Sequence, residues 1–444
     1  MSNPSVYVRA AMAPAQPAPR STVGVAGWLR TNLFSSLWNT VLTLLAIALI
    51  VSIVVPTVRF TLVDAVWSGE GREACLAANG ACWAYVKAYL PQFIYGRYPI
   101  DERWRVDLVY AMLALGLVLL MVPRIPAKGA TLAFMLLVFP VVAFVLLTGG
   151  GLELDGGLIP DDVMAPSAFR FWIEYGAVCA VLLALAAALA AWQGASVART
   201  LRNLAAALAV LAVVLLAVSV DVGLEHVETA NWGGMLVTLV VAVTGMTASM
   251  PLGVLLALGR RSNMPVVRLA SVVFIEVWRG VPLITVLFMS SVMLPLFLPS
   301  GVTIDKLFRA LVGVALFNSA YMAEVIRGGL QAIPRGQYEA ARALGLGYWQ
   351  MMRMIVLPQA LRLVIPGIVG SFISLFKDTT LVLIIGLFDF LGQIQASANS
   401  ATWASPVTGI SGYIFAAFVY WIFCFGMSQY AGFVERRLDT GYKR

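Results

Sequence analysis

Ile333-Pro334-Arg335-Gly336-Gln337-Tyr338-Glu339-Ala340-Ala341-Arg342-Ala343-Leu344-Gly345, followed at a distance by Ile355, Leu357 and Pro358, is the stretch on which the reading of the chain turns. Pro334 is tolerated in a first helical turn, where its missing N–H has no partner to lose, and Glu339 near that turn complements the helix dipole. The pattern predicts two short helices, over 338–345 and 348–355, with Gly345 permitting the bend between them. Ala340 and Ala341 let two helices approach closely, and Glu339 can pair with a basic group. Two readings follow: a docking surface, or a plain surface turn joining two apolar segments.

What lies on either side favours the first. The chain has 444 residues, of which 61% are hydrophobic and only 12% charged. That is far more apolar surface than a soluble core needs, and several runs are long enough to cross a bilayer. The expected fold is an all-α integral membrane protein of about ten transmembrane helices, near 34–56, 106–122, 130–147, 171–191, 204–220, 232–258, 266–297, 307–327, 360–388 and 411–433. The net charge of +8 lies between the runs and at the C-terminus. It therefore speaks for membrane topology and against nucleic-acid binding.

Short loops with Arg124, Lys128, Arg199, Arg202, Arg260 and Arg261, and a tail with Arg436, Arg437, Lys443 and Arg444, alternate with loops bearing Glu153, Asp155, Asp161, Asp162, Asp221, Glu225 and Glu228. The positive-inside rule then puts both termini and the Glu339 loop in the cytoplasm. The expected organisation is a cytoplasmic tail over 1–33 and a membrane extension over 34–225 of about five spans, with an outward segment at 57–105. A second membrane region follows over 226–436, with the loop at 330–358, and a tail over 437–444. The run after the first tail is too long for a cleaved signal and is expected to stay as an anchor.

Cys75 and Cys82 fall in the outward segment, whereas Cys179 and Cys424 lie inside apolar runs. On the oxidising side of the membrane, Cys75 and Cys82 are expected to form a disulfide; free thiols are the alternative. The same segment carries Trp83, Tyr85, Tyr89, Phe93, Tyr95 and Tyr98. These form either a cap that meets a partner or, the favoured expectation, aromatic anchors at the headgroups.

The stretch from Glu339 to Pro358 resembles the EAA loop of the membrane subunits of bacterial ABC importers. The likeness extends over roughly 230–435. Gly233-Gly234-Met235, Leu258-Gly259-Arg260-Arg261-Ser262, Trp278-Arg279-Gly280-Val281-Pro282-Leu283, Tyr321-Met322-Ala323-Glu324-Val325-Ile326-Arg327-Gly328-Gly329 and Phe376-Lys377-Asp378-Thr379-Thr380-Leu381 are similar to the polar amino acid branch of that family. Val281 and Thr380 stand where the branch more often has Thr and Ser. Gly80-Ala81-Cys82-Trp83 and Phe93-Ile94-Tyr95-Gly96 resemble the longer permease of the general L-amino acid transporter. The resemblance implies a five-helix type I permease core in an inner-membrane importer of L-amino acids. It also implies separate ATPase subunits that use ATP and Mg, a periplasmic amino-acid-binding protein, and a related permease as heterodimer partner, a homodimer being the other option. Glu339, Ala340, Ala341, Gly345, Leu357 and Pro358 would be the contact with the ATPase.

Charge inside the spans is concentrated after residue 225. Lys377 and Asp378 lie about 27 Å of helix from the start of their span at 1.5 Å per residue, and are costly there unless paired or solvated. With Thr379 and Thr380 they are candidates for a pocket in which Lys377 meets a carboxylate and Asp378 an ammonium. An internal ion pair is the alternative. Glu276 and Arg279, three apart, can pair with each other, and Pro282 can kink the span. Glu324 and Arg327 repeat the spacing, with Arg327 expected to snorkel or brace the loop. Phe376, Met322 and Asn318 are candidates for neutral wall positions, or for core.

No Gly-x-x-x-x-Gly-Lys-Ser/Thr loop exists to cradle ATP phosphates, so energy must come from another chain. A single histidine, His226, speaks against the usual metal sites and acid-base chemistry, and no catalytic or cofactor residue is assigned. The rival readings are an ion- or proton-coupled secondary transporter of small polar solutes, with Lys377, Asp378, Glu276 and Glu324 as a relay, and, more weakly, a membrane-embedded enzyme.

Overall fold

The computed structural model describes residues 24–152, 154, 159, 163–192, 196–297 and 304–438. Arg9, Arg20, Glu153, Asp155, Asp161, Asp162, Lys443 and Arg444, and with them part of the charge asymmetry, lie outside the described residues. Among the described residues the architecture is helical, with isolated β-bridges only. Among the described residues nine helical stretches are long and apolar enough to cross a membrane: Leu37–Val63, Ile100–Met121, Lys128–Thr148, Ala168–Ala191, Val197–Ser219, Met235–Arg260, Lys306–Ala332, Ile365–Ile385 and Thr408–Arg437. A tenth, expected as one run over 266–297, is a pair of helices, Pro265–Gly280 and Leu283–Phe297, bent by 102°. The cause is Pro282: the preceding Val281 is forced extended, at φ −106 and ψ 135, and the helix must restart.

The chain divides into two compact units, Met1–Ala84 and Tyr85–Arg444. In the first, α1 (Gly24–Asn32) precedes α2 (Leu37–Val58), whose N-terminus is capped by the Ser36 hydroxyl accepting from Asn39 N. The short α3 (Glu73–Leu76) leads into a disulfide between Cys75 and Cys82, with Cα atoms 5.8 Å apart. The Trp83 indole donates to Thr61 O at 2.7 Å and packs beside Trp67.

The second unit contains most of α4 (Trp83–Tyr95), then α5 (Arg103–Met121), α6 (Lys128–Ala133) continued through a wide turn into α7 (Phe139–Thr148), α8 (Ala168–Trp192) and α9 (Val197–Ser219). There follow α10 (Met235–Arg260), α11 (Pro265–Gly280), α12 (Leu283–Phe288), α13 (Lys306–Ala332), α14 (Arg335–Ala343), α15 (Tyr348–Met351) and α16 (Leu357–Leu363). The last are α17 (Ile365–Asp378), α18 (Phe390–Ala398) and α19 (Thr408–Leu438). Its centre is the pair α10 and α13, which share the largest interface. Small residues make that possible: a Cβ at Gly253 would lie 2.7 Å from Met322 Cβ, and one at Gly245 would lie 3.0 Å from Val314 Cγ1.

One expectation is corrected at α4. Tyr85, Phe93 and Tyr98 are at most 1% exposed and sit inside protein rather than at headgroups. Phe93 packs edge-on against Phe390 and beside Phe415, and the Tyr85 hydroxyl pairs with Ser397 Oγ at 2.6 Å and Ile394 O at 3.1 Å. Burial pushes the Tyr85 pKa to about 12, so its proton stays in place for those bonds. The seat depends on Gly234, whose φ of +63 and ψ of −143 suit only glycine, and whose missing Cβ would stand 2.2 Å from Phe93 O. Gly234→Ala is therefore expected to lift α4 from α18, with at least a tenfold rise in protease cleavage over residues 85–105; unchanged cleavage would refute that account.

Candidate functional site

At one end of the second unit, α13 gives way at Ile333 to α14, and the chain returns through α15 and a wide helical turn, Met352–Val356, to α16. Gly345, at φ +73, makes the bend, and Gln350 Oε1 accepts from Gly347 N at 3.1 Å to start α15. The underside of this helix pair is fixed. Ala341, Met351, Met352 and Val356 join Leu258 of α10 and Ile326 and Leu330 of α13 in one apolar cluster. The upper side is open: Glu339, Ala340 and Pro358 are exposed, Leu344 is 76% exposed and Trp349 68%. Among the described residues Glu339 makes no ion pair within the chain. Sequence reasoning passed over Leu344 and Trp349, although two large apolar residues at a turn of a polar loop were a legible signal of a contact surface.

The helix pair is tied to the spans by α10's last residues. Arg261 Nη1 donates to Leu330 O at 2.7 Å, its guanidinium lies over the Tyr338 ring, and the Tyr338 hydroxyl donates to the same carbonyl at 3.2 Å. Arg260, next in the chain, turns the other way. Its Nη1 lies 2.9 Å from both Glu276 Oε1 and Glu324 Oε1. Glu324 is also held by Arg327 at 2.7 Å and faces Arg279 at 3.7 Å. The expected pair of Glu276 with Arg279 is thus replaced by a network across α10, α11 and α13, because Arg260 outcompetes an intrahelical partner for Glu276. Arg327 directs its guanidinium to Glu324 on its own helix. Three guanidiniums share two carboxylates, leaving the cluster cationic.

Val364, at φ −107 and ψ 10, separates α16 from α17, so the helix carrying Lys377 restarts at Ile365. Lys377 is then about 18 Å from that start at 1.5 Å per residue, nearer the middle of a bilayer than the 27 Å of an unbroken run. At Thr379 the helix tightens into a 3-10 segment, Thr379–Ile385, ended by Gly386 at φ +77. Lys377 is exposed and Asp378 half-buried, and among the described residues neither has an ion-pair partner in the chain, which removes the internal ion pair. Thr380 donates to Lys377 O at 2.9 Å. Thr379 is corrected: it is 1% exposed and its hydroxyl donates to Phe376 O, so it supports the turn from inside. Phe376, Met322 and Asn318 are buried and belong to the core.

Asp389 is a residue the sequence reading missed. Fully buried, it caps α18 by accepting from Gly392 N at 2.9 Å and Leu391 N at 3.2 Å, and accepts from the Tyr420 hydroxyl. Burial pushes its carboxyl pKa up, against the pull of those hydrogen bonds. An Asp three residues before Gly392 at a helix start was the available sign.

The helical stretches able to cross a membrane make this a polytopic membrane chain, with an exposed helix pair at one end of its second unit. Residues 249–440 match the family of binding-protein-dependent transport system inner membrane components. The inner membrane amino-acid ABC transporter permease protein YhdY of Escherichia coli is 42% identical over 96% of this chain and 97% of its own length. The glutamate/glutamine/aspartate/asparagine transport system permease protein BztC of Rhodobacter capsulatus is 41% identical over 98% and 99%. A solved amino acid ABC transporter is 32% identical over 46% of this chain and 92% of its own, with a TM-score of 0.41. The chain belongs to this family, as an amino-acid ABC transporter permease of the inner membrane. It is a transport subunit with ATP hydrolysis in a separate chain, which sets aside the secondary-transporter and enzyme readings.

Proposed function

We propose that this permease lines the path by which L-amino acids pass from periplasm to cytoplasm, with Lys377 and Asp378 at the substrate. One observation supports the reading: a charged pair midway along a span, Lys377 exposed and Asp378 half-buried, that has no ion-pair partner among the described residues. Such charge is tolerated only where it faces water or another protein. The face of α17 that bears it therefore lines a pathway shared with a second permease. The ammonium of Lys377 suits the α-carboxylate of an amino acid and Asp378 its α-ammonium. Thr380 steadies the turn beside them, while Glu276, Arg279 and Glu324 act on the pathway from the neighbouring network. The α14–α15 pair takes the ATPase subunit through Glu339, Leu344 and Trp349, with Ala340, Gly345, Leu357 and Pro358 shaping that surface and Ala341 seated beneath it.

In this reading α14 and both termini are cytoplasmic, because Arg124, Lys128, Arg199, Arg202, Arg260 and Arg261 stand at the ends of spans nearest to it. ATP and Mg act in the partner ATPases, a periplasmic binding protein delivers substrate, and the second permease is a related chain rather than a copy, as the long extension before α10 favours. Asp378→Asn tests the site. It is expected to raise the half-saturating concentration for uptake at least tenfold with assembly intact; unaltered affinity would remove Asp378 from the site.

A further inference from the structure

Tyr420, near the middle of α19, touches both ends of the connection that runs from the charged pair of α17 to the start of α18. At one end its ring meets Phe376, the residue before Lys377, edge-on with centroids 5.3 Å apart. Its hydroxyl faces that of Thr379, the residue after Asp378. At the other end the same ring lies 6.0 Å from that of Phe390, and the hydroxyl donates to Asp389 Oδ2 at 3.2 Å. Between the two ends run the 3-10 segment Thr379–Ile385 and Gly386.

The carboxylate that receives Tyr420 is firmly held. Asp389 is fully buried and accepts from Gly392 N and Leu391 N, and the next residue, Phe390, donates its N–H to the Thr238 hydroxyl of α10 at 3.0 Å. Three donors on two oxygens suit an ionised carboxylate, and a hydrogen bond to such a charge is among the stronger ones. At Lys377 and Asp378, by contrast, the backbone is passing from α-helix to 3-10 helix, whose hydrogen bonds are the poorer ones. The pair needs support from outside its own helix, and Tyr420 meets the residue on each side of it.

We propose that Tyr420, held by Asp389, is a positioning residue for the Lys377–Asp378 pair, fixing the backbone around the two charges so that ammonium and carboxylate meet one substrate together. The inference rests on the reading of that pair as the substrate contact. Two charges that must engage two ends of one amino acid gain affinity from being set in place beforehand, and lose it when the backbone beneath them can shift. The effect falls on half-saturation and spares the maximal rate.

Tyr420→Phe keeps the ring against Phe376 and Phe390 and removes only the hydroxyl. The assembled transporter and its binding protein in proteoliposomes, given a radiolabelled mixture of L-amino acids, provide the test. Tyr420→Phe is expected to raise the half-saturating concentration at least fivefold, with the maximal rate within twofold of wild type and with melting temperature and ATPase copurification unaltered. Asp389→Asn, which removes the charge that Tyr420 donates to, should act in the same direction. The two together should do no more than the stronger alone, because both break one contact. Asp378→Asn combined with Tyr420→Phe should likewise fall short of the product of the separate effects. Unaltered half-saturation in Tyr420→Phe beside a rise in Asp378→Asn would overturn the positioning role and leave the substrate reading standing. Effects of Tyr420→Phe and Asp378→Asn that simply multiply would also overturn it, and no effect of Asp378→Asn would remove the substrate reading and this inference with it. Loss of assembly in both Tyr420→Phe and Asp389→Asn would make the contact a structural one only.

Discussion

Replacing Glu339 by arginine is expected to abolish ATP-driven amino acid uptake and to strip the ATPase subunit from the purified permease, while the permease itself accumulates normally. Glu339 stands exposed on α14 with no ion pair among the described residues, so its removal costs the isolated fold almost nothing. Its value lies in the contact. In the proposed contact Leu344 and Trp349, exposed on the same surface, are the apolar anchors, and the carboxylate is the charge that a basic groove would desolvate and hold. Reversing that charge sets like against like and leaves a buried partner unpaired, at a cost of several kcal/mol. At about 1.4 kcal/mol per decade, the affinity for the ATPase falls at least thirtyfold. Copurification in mild detergent, compared with Trp349→Ala as a milder lesion of the same surface, reads the effect directly. Stoichiometric ATPase on the Glu339→Arg protein, together with undiminished uptake, would mean that the contact lies elsewhere.

The sequence made the spans legible because apolar runs of this length admit few other folds, and each expected run has a counterpart whose ends lie within about seven residues, one of them as a bent pair of helices. Pro282 announced the bend, though only the structure gives its 102°. What stayed hidden depended on contacts between distant residues. Arg260 meets Glu324 across 64 positions, and no local spacing rule could prefer that pair to Glu276 with Arg279. The distance of Lys377 from the start of its helix hinges on a single non-helical residue, Val364, ahead of Pro366. Aromatic residues of α4 suit either a headgroup belt or a protein core. Gly234 decides for the core by letting backbone meet backbone, and its partner Phe93 could not be named from a single sequence. The loop around Glu339 and the mid-span pair Lys377 and Asp378 were visible in the sequence; the joining of Arg260, Glu276, Arg279, Glu324 and Arg327 into one network was not.

The network around Glu324 gives the second large effect. Glu324→Gln is expected to destabilise the permease by about 2–3 kcal/mol and to reduce uptake at least tenfold. The Glu324 carboxylate, 15% exposed, is shared by Arg260, Arg327 and Arg279. Without it, among the described residues, those guanidiniums retain only Glu276, which is 55% exposed. Removing one partner of a buried pair costs about 3–5 kcal/mol, and partial access to solvent lowers that figure here. Transport suffers as well, because Arg260 adjoins Arg261, the residue that ties α10 to Tyr338 of α14. Consecutive residues of one helix end thus contact α14, through Arg261, and α11 and α13, through Arg260. Repulsion among the three arginines is screened by salt, so the stability deficit of Glu324→Gln should shrink between low and high ionic strength. Arg327→Gln placed on top of Glu324→Gln should recover at least half of the lost stability, since it removes one unpaired guanidinium, and a double-mutant cycle measures that recovery. Strictly additive losses in the cycle would show that Arg327 and Glu324 act independently, and that the network does not join the loop to the spans.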